Sequence, residues 1–183
     1  SGMGRTGRMF AVEHWGVEPD IVCLAKGIAS GMPLGAMIAK TEVMSWPPGS
    51  HASTFGGNPV SCRAALATLE LLESGLMTNA TERGEQLKAK LRSLQRQHPD
   101  LFGDVRGLGL MVAMDVLADG QPSPKLRDRL VDLAFDHGLL LLGCGESAIR
   151  FCPPLCISKE QVDTAIEILS GVLAELRVPA STL

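Results

Sequence analysis

The sequence predicts an α/β protein in two parts, a sheet-and-helix segment over residues 1–76 and an α+β unit over residues 77–183. Three observations carry this expectation. Two short apolar runs, DIVCLAK and LGAMIAK, read as strands on either side of a small-residue loop. Two long helical patterns fill the middle of the chain. After Phe102 the pattern shortens into strand-length pieces between two further helices, and so reads as a unit in its own right.

Taken in order, the chain opens on GMGRTG, Gly2 to Gly7, which spells GxGxxG, with Asp20 near the offset of a ribose-binding acid. A dinucleotide unit needs a helix and then a strand between the two. RMFAVEHWGVEP is too short for both and carries Gly16 and Pro19, so a nucleotide site is rejected. The runs at 20–26 and 34–40 then read as short buried strands. EVMSWPPGSHASTFGGNP is a long Pro/Gly/Ser connection, of a length that usually serves function or stays disordered. Pro59 suits a first helical position, opening VSCRAALATLELLES, which should stop near Gly75. NATERGEQLKAKLRSLQRQHP reads as a second, more polar helix. Asn79 with Glu82 fits a capping box, and Pro99 ends it.

In the second part, VRGLGLMVAMDVL alternates like a strand interrupted by glycines. Ser123-Pro124 is a cap followed by a first-turn proline, opening KLRDRLVDLAFDHG. LLLLGCG and AIRFCPPL read as a strand pair. Ser158 with Gln161 forms a capping box for KEQVDTAIEILSGVLAEL.

Composition narrows the function. Hydrophobic residues make up 45% and charged residues 20%, ordinary values for a globular protein. The net charge of -3 with scattered Lys and Arg gives no nucleic-acid footprint, and no apolar run is long enough to suggest a membrane span. The five cysteines lack a disulfide-scaffold pattern and are expected to be reduced and mostly buried. Cys152 and Cys156 bracket PPL without a partner motif, so no metal site is expected. His14 and His51 have no partners in sequence and read as structural. Arg5, Thr6 and Arg8 are given no chemistry, and Trp15 and Trp46 could line a channel or simply pack.

Lys26 is the residue that stands out. Most lysines are simply exposed. This one ends an apolar run and precedes Gly27, Ala29, Ser30 and Gly31, which leave room for a flat ligand against the backbone. A strand end is also where α/β sheets bind ligands. To act as a neutral amine at pH 7, an ordinary lysine must overcome about 4.6 kcal/mol. A desolvated apolar pocket or imine formation removes that cost.

The stretch GMGRTGRMFAVEHWGVEPDIVCLAKGIASGMPLGAMIAK resembles the cofactor-lysine region of class III pyridoxal-phosphate aminotransferases of the ornithine, acetylornithine and 4-aminobutyrate type. The likeness continues through GSHASTFGGNPVSCRAALATLELL, VRGLGLMVAMDV and AIRFCPPLCIS, and so covers almost the whole chain. It implies the C-terminal portion of a fold-type I enzyme: the end of the large mixed-sheet domain over 1–76, then a linking helix and a small α+β domain over 77–183. Lys26 would hold pyridoxal 5′-phosphate as a Schiff base and then shuttle the substrate proton.

HASTFGGNP would be a phosphate-contacting loop given to a neighbouring subunit, with Ser53 and Thr54 as hydroxyl donors and Ser53 also near substrate. Read alone, that stretch is more simply a serine turn before a helix; the resemblance reverses the balance. Arg150 is similar to the arginine that grips the substrate carboxylate, a task its planar fork suits.

The implied partners are an amino donor, a 2-oxo acid and a second copy of the chain in a homodimer with shared sites. The implied compartment is the cytoplasm. The acid that pairs with the cofactor's ring nitrogen is expected upstream of Ser1, so the 183 residues alone are expected to be nearly inactive. An amino-acid racemase or epimerase of the same family, or a non-catalytic dimerisation fragment, are the competing readings.

Overall fold

The computed structural model describes residues 2–176; Ser1 and residues 177–183 lie outside the described residues. The chain divides into two compact units, Ser1–Met77 and Thr78–Leu183.

In the first unit the glycine-rich opening forms a local loop. Gly4 N–H donates to the Met9 carbonyl (3.1 Å), and Gly7 N–H to that of Gly4 (3.0 Å). Thr6 is buried, and His14 Nε2 lies 3.1 Å from both its carbonyl and its hydroxyl oxygen. His14 thus closes the loop. A 3-10 turn, Ala11–Trp15, ends on Gly16 in the left-handed region.

Two strands follow, β1 (Ile21–Leu24) and β2 (Ala36–Ala39), paired antiparallel from Ile21↔Ala39 to Leu24↔Ala36. Lys40 and Asp20 close the open end with a 2.8 Å ion pair. These strands were expected to be buried, and they are not: Ile21 and Ile38 are exposed. A two-stranded ladder has two free edges and only one small cluster to bury residues in, so apolar composition cannot by itself make these strands interior. Helix α1 (Pro59–Leu71) begins as its sequence dictates. Asn58 caps it, its Oδ1 accepting from the N–H groups of Val60 (3.0 Å) and Ser61 (3.2 Å). A π turn, Leu72–Leu76, follows, and Gly75 leaves the helical region there.

Helix α2 (Met77–Gln97) opens the second unit. The capping box expected at Asn79 and Glu82 does not form, because the helix has already begun. Asn79 Nδ2 donates instead to the carbonyls of Leu155 (2.7 Å) and Ile157 (3.1 Å). The single glycine-broken strand expected after residue 104 is a hairpin. Strands β3 (Phe102–Leu108) and β4 (Met111–Ala118) turn tightly at Gly109-Leu110, with Leu108 opposite Met111. The glycines allow this: Gly109 sits at φ 51 and Gly107 at φ 140.

After the two-residue β5 (Gln121–Pro122) come α3 (Pro124–Asp136), β6 (Leu142–Cys144), β7 (Ala148–Phe151) and α4 (Lys159–Leu176). The antiparallel sheet runs β3-β4-β7-β6, with β5 on β4. Ser123 caps α3 through Leu126 N–H (3.3 Å). Ser158 and Gln161 cap α4 reciprocally, at 2.9 and 3.2 Å. The apolar faces of α2, α3 and α4 meet the sheet in one core that includes Leu91, Phe102, Met114, Leu130, Ile149 and Leu169. No described helix is long and apolar enough to cross a membrane. All five cysteines are free, and none is buried. Cys23 on the open ladder and Cys152 and Cys156 in the proline-rich loop after β7 are exposed, and Cys62 and Cys144 are half-buried, so the expectation that most would be buried fails.

Candidate functional site

Lys26 follows β1 by two residues and takes the left-handed conformation (φ 55), a position that L-residues other than glycine occupy rarely. It starts a 3-10 turn, Lys26–Ala29, that ends on Ser30, also left-handed (φ 47). Among the described residues only one other non-glycine residue, Asp119, has positive φ. Strain of this kind persists only where the surroundings over-determine it.

The surroundings do so here. Ile28 and Ala29 are buried at 6% and 0% exposure and pack with Ala65. Behind the turn, Thr68 Oγ1 donates to the Ala64 carbonyl (2.8 Å), which uses its only proton. The Ser30 hydroxyl is therefore the donor in its 2.9 Å bond to Thr68 Oγ1. The turn is clasped to α1 through one face, and Lys26 stands exposed on the other. A Cβ at Gly27 or Gly31 would meet nothing within 4 Å. The room predicted around the lysine is real, but the apolar enclosure is not built by the described residues. A carbonyl-bearing planar group can reach this amine without moving any side chain at Gly27 or Gly31, so the residues present fit pyridoxal 5′-phosphate at its aldehyde end.

Ser53 and Thr54 lie in the exposed connection before α1. Ser53 Oγ accepts from Gly56 N–H (3.0 Å), the local serine turn that the sequence alone favoured. Its hydroxyl proton remains available to a ligand. With Gly35, Ala36, His51 and Phe55, Ser53 lines a cleft of about 460 Å³ that does not include Lys26. His51 stacks on Trp46, ring centroids 6.3 Å apart. Both aromatic residues of this connection are open to solvent, Phe55 at 74% and Trp46 at 58%.

Arg150 belongs to the second unit. It lies on β7 opposite Ala113 of β4 and Leu142 of β6, between the buried Ile149 and Phe151. Its Nε is buried without a hydrogen-bond partner among the described residues. A buried, unmatched guanidinium nitrogen asks for an anion. The sequence singled out Lys26 and Arg150 but missed the Ser30–Thr68 clasp. A serine and a threonine 38 residues apart carry no pairwise signal. No cluster of His, Cys, Asp or Glu among the described residues could hold a metal ion.

The model of the family "Aminotransferase class-III" matches residues 1–173. An acetylornithine aminotransferase of Gloeobacter violaceus is 48% identical over 179 residues, covering 97% of this chain and 43% of the relative. The crystal structure of acetylornithine aminotransferase from Elizabethkingia anophelis superposes with a TM-score of 0.83 at 32% identity, over 95% of this chain and 45% of that one. A PLP-bound amine transaminase from an uncultivated Pseudomonas species gives 0.84 at 34% identity, over 96% and 43%. The chain spans less than half the length of the relatives it matches.

Proposed function

The chain belongs to the class-III aminotransferase family, with the fold-type I architecture of its solved relatives, and from that premise we propose that it supplies the lysine and the carboxylate-binding arginine of a pyridoxal-phosphate-dependent aminotransferase. The donor we assign is N-acetylornithine, the substrate in the name of a relative 48% identical to it; the acceptor is a 2-oxo acid. Pyridoxal 5′-phosphate, when bound, supplies the aldehyde that takes up the amino group and a ring that withdraws electrons from the amino-bearing carbon.

The residues of this chain do the rest. The Lys26 amine would hold the cofactor through its aldehyde and, when free, would remove the proton from the amino-bearing carbon. Arg150 binds the substrate carboxylate through its fork. Ser53 and Thr54 act in a second copy of the chain, where their hydroxyls donate to the phosphate. The solvent-exposed Phe55 and Trp46 support this homodimeric arrangement, since aromatic residues left open on a long connection suit an interface. Five free cysteines accord with a reducing compartment, and we place the enzyme in the cytoplasm, which cell fractionation checks.

The observation that carries this reading is the strained, clasped turn that presents Lys26 to open space. The test is an assay of the protein from its native source with N-acetylornithine and 2-oxoglutarate, beside ornithine and 4-aminobutyrate. Formation of glutamate that depends on both substrates and disappears in Lys26→Ala is expected. Inversion of an amino acid without any acceptor would contradict the proposal.

A further inference from the structure

Arg150 shares its row of the sheet with a second arginine. The register sets Arg106 of β3 opposite Ala113 of β4, and Ala113 opposite Arg150 of β7. Residues directly opposite one another point to the same face, so one face carries two arginines on either side of a small alanine. Two strand spacings put their Cα atoms about 10 Å apart, within the combined reach of two arginine side chains. Arg106 is already engaged. Its fork closes on Asp115, Nη1 to Oδ2 at 2.7 Å and Nη2 to Oδ1 at 2.9 Å, and Nη1 also lies 3.4 Å from Asp104 Oδ2. Asp115 follows Ala113 by two residues on β4 and so projects from the same face. It draws the Arg106 fork along β4, away from the row. No acid pairs with Arg150 among the described residues.

From this register we propose that Asp115 is a specificity residue: it sequesters Arg106, so that a carboxylate arriving at this face is held by Arg150 alone. Without the acid, two arginines on one row would be spaced to take both ends of a short dicarboxylate. A dicarboxylic 2-oxo acid would then be gripped at each end by the sheet, in place of one carboxylate on Arg150 with the rest of the molecule free. Specificity of this kind is built by withholding a wrong contact as much as by offering the right one. The inference rests on reading Arg150 as the carboxylate-binding arginine, and it adds the residue that keeps a second arginine from competing there. The rival account is an ion pair that only pins β3 to β4.

The test titrates the native protein with glutarate and with pentanoate, a diacid and a monoacid of equal length, following the ligand resonances by NMR so that no turnover is needed. Asp115→Asn should tighten glutarate about fivefold, the effect of one exposed ion pair, and leave pentanoate unchanged. Arg106→Gln alone should leave both affinities as they were, since Asp115 already withholds that side chain. Asp115→Asn combined with Arg106→Gln should return glutarate to the parent affinity. Asp115→Ser repeats the first measurement if the Asn variant fails to fold. No tightening of glutarate in a folded Asp115 variant, which is what a merely pinning pair predicts, would overturn the inference. So would tightening that survives the loss of Arg106. The two readings fail separately. Arg150→Lys that weakens pentanoate, beside an Asp115→Asn variant that changes nothing, removes only the role of Asp115. Arg150→Lys that leaves both ligands unchanged removes the carboxylate-binding reading of Arg150, and this inference with it.

Discussion

The hydroxyl of Ser30 donates to Thr68 Oγ1 at 2.9 Å, and the Thr68 hydroxyl in turn donates to the Ala64 carbonyl at 2.8 Å. This relay ties the end of the Lys26 turn to α1. Thr68→Val keeps the shape and deletes both bonds. The Ser30 end faces solvent, so the expected loss is about 1 kcal/mol in urea denaturation. The affinity for pyridoxal phosphate should fall by more than that stability change implies, because Lys26 would no longer be held ready. Unchanged cofactor affinity would show that the clasp is irrelevant to the lysine.

Glycines in two helices make opposite predictions. At Gly84 of α2 a Cβ would lie 2.1 Å from the Gly109 carbonyl oxygen of the β3–β4 hairpin, whereas at Gly171 of α4 it would meet nothing within 4 Å. Helix propensity favours alanine at both by about 1 kcal/mol. At Gly84 the obstacle is backbone, which cannot swing aside, so Gly84→Ala should lose about 2 kcal/mol net. Gly171→Ala should gain about 1 kcal/mol. Urea midpoints of the pair decide it.

Asn79 cross-links α2 to the loop that follows β7, through the Leu155 and Ile157 carbonyls. Asn79→Ala leaves both acceptors partly buried and short of a donor. A loss of roughly 2 kcal/mol is expected, read by thermal or urea unfolding. Faster amide exchange confined to residues 152–158 should accompany it.

The contrast between Asn79 and the true caps shows what the sequence could disclose. Asn58-Pro59, Ser123-Pro124 and Ser158 with Gln161 act over three residues or fewer, and their chemistry is complete within the motif. Asn79 has the same local signature as a cap, yet its partners are 76 and 78 residues away, and tertiary geometry claims it. Likewise VRGLGLM reads equally well as a broken strand or a hairpin; the backbone at Gly107 and Gly109 chooses the hairpin. Lys26 was legible because an apolar run ending in a charge beside small residues is unusual by itself. Its strained φ and its exposure were not legible, since both follow from packing against α1. Arg150 could be placed on a buried strand from its neighbours, but its unpaired Nε could not be foreseen.

Acid should weaken the second unit through Asp163. The carboxylate accepts from Lys90 Nζ (2.8 Å) and from Gln86 Nε2 (2.8 Å). The hydrogen bond from Lys90 lowers its pKa from the ordinary value of 3.8 against the opposing effect of desolvation, and a smaller contribution from Gln86 adds to the lowering. A folded-state pKa below the unfolded one gives stability that is present above about pH 4 and lost as pH falls through the lowered value. Asp163→Asn should therefore be less stable than the parent at pH 7 and converge with it in strong acid. Parallel stability curves across that range would contradict the assignment.

Borohydride reduction of the native protein after loading with pyridoxal 5′-phosphate, followed by peptide mass spectrometry, questions Lys26 most directly. The phosphopyridoxyl mass should fall on the peptide carrying Lys26, with Lys40 and Lys125 left unmodified, and should vanish in Lys26→Ala. Label spread evenly over exposed lysines, or retained in that variant, would show that this amine is not the group that holds the cofactor.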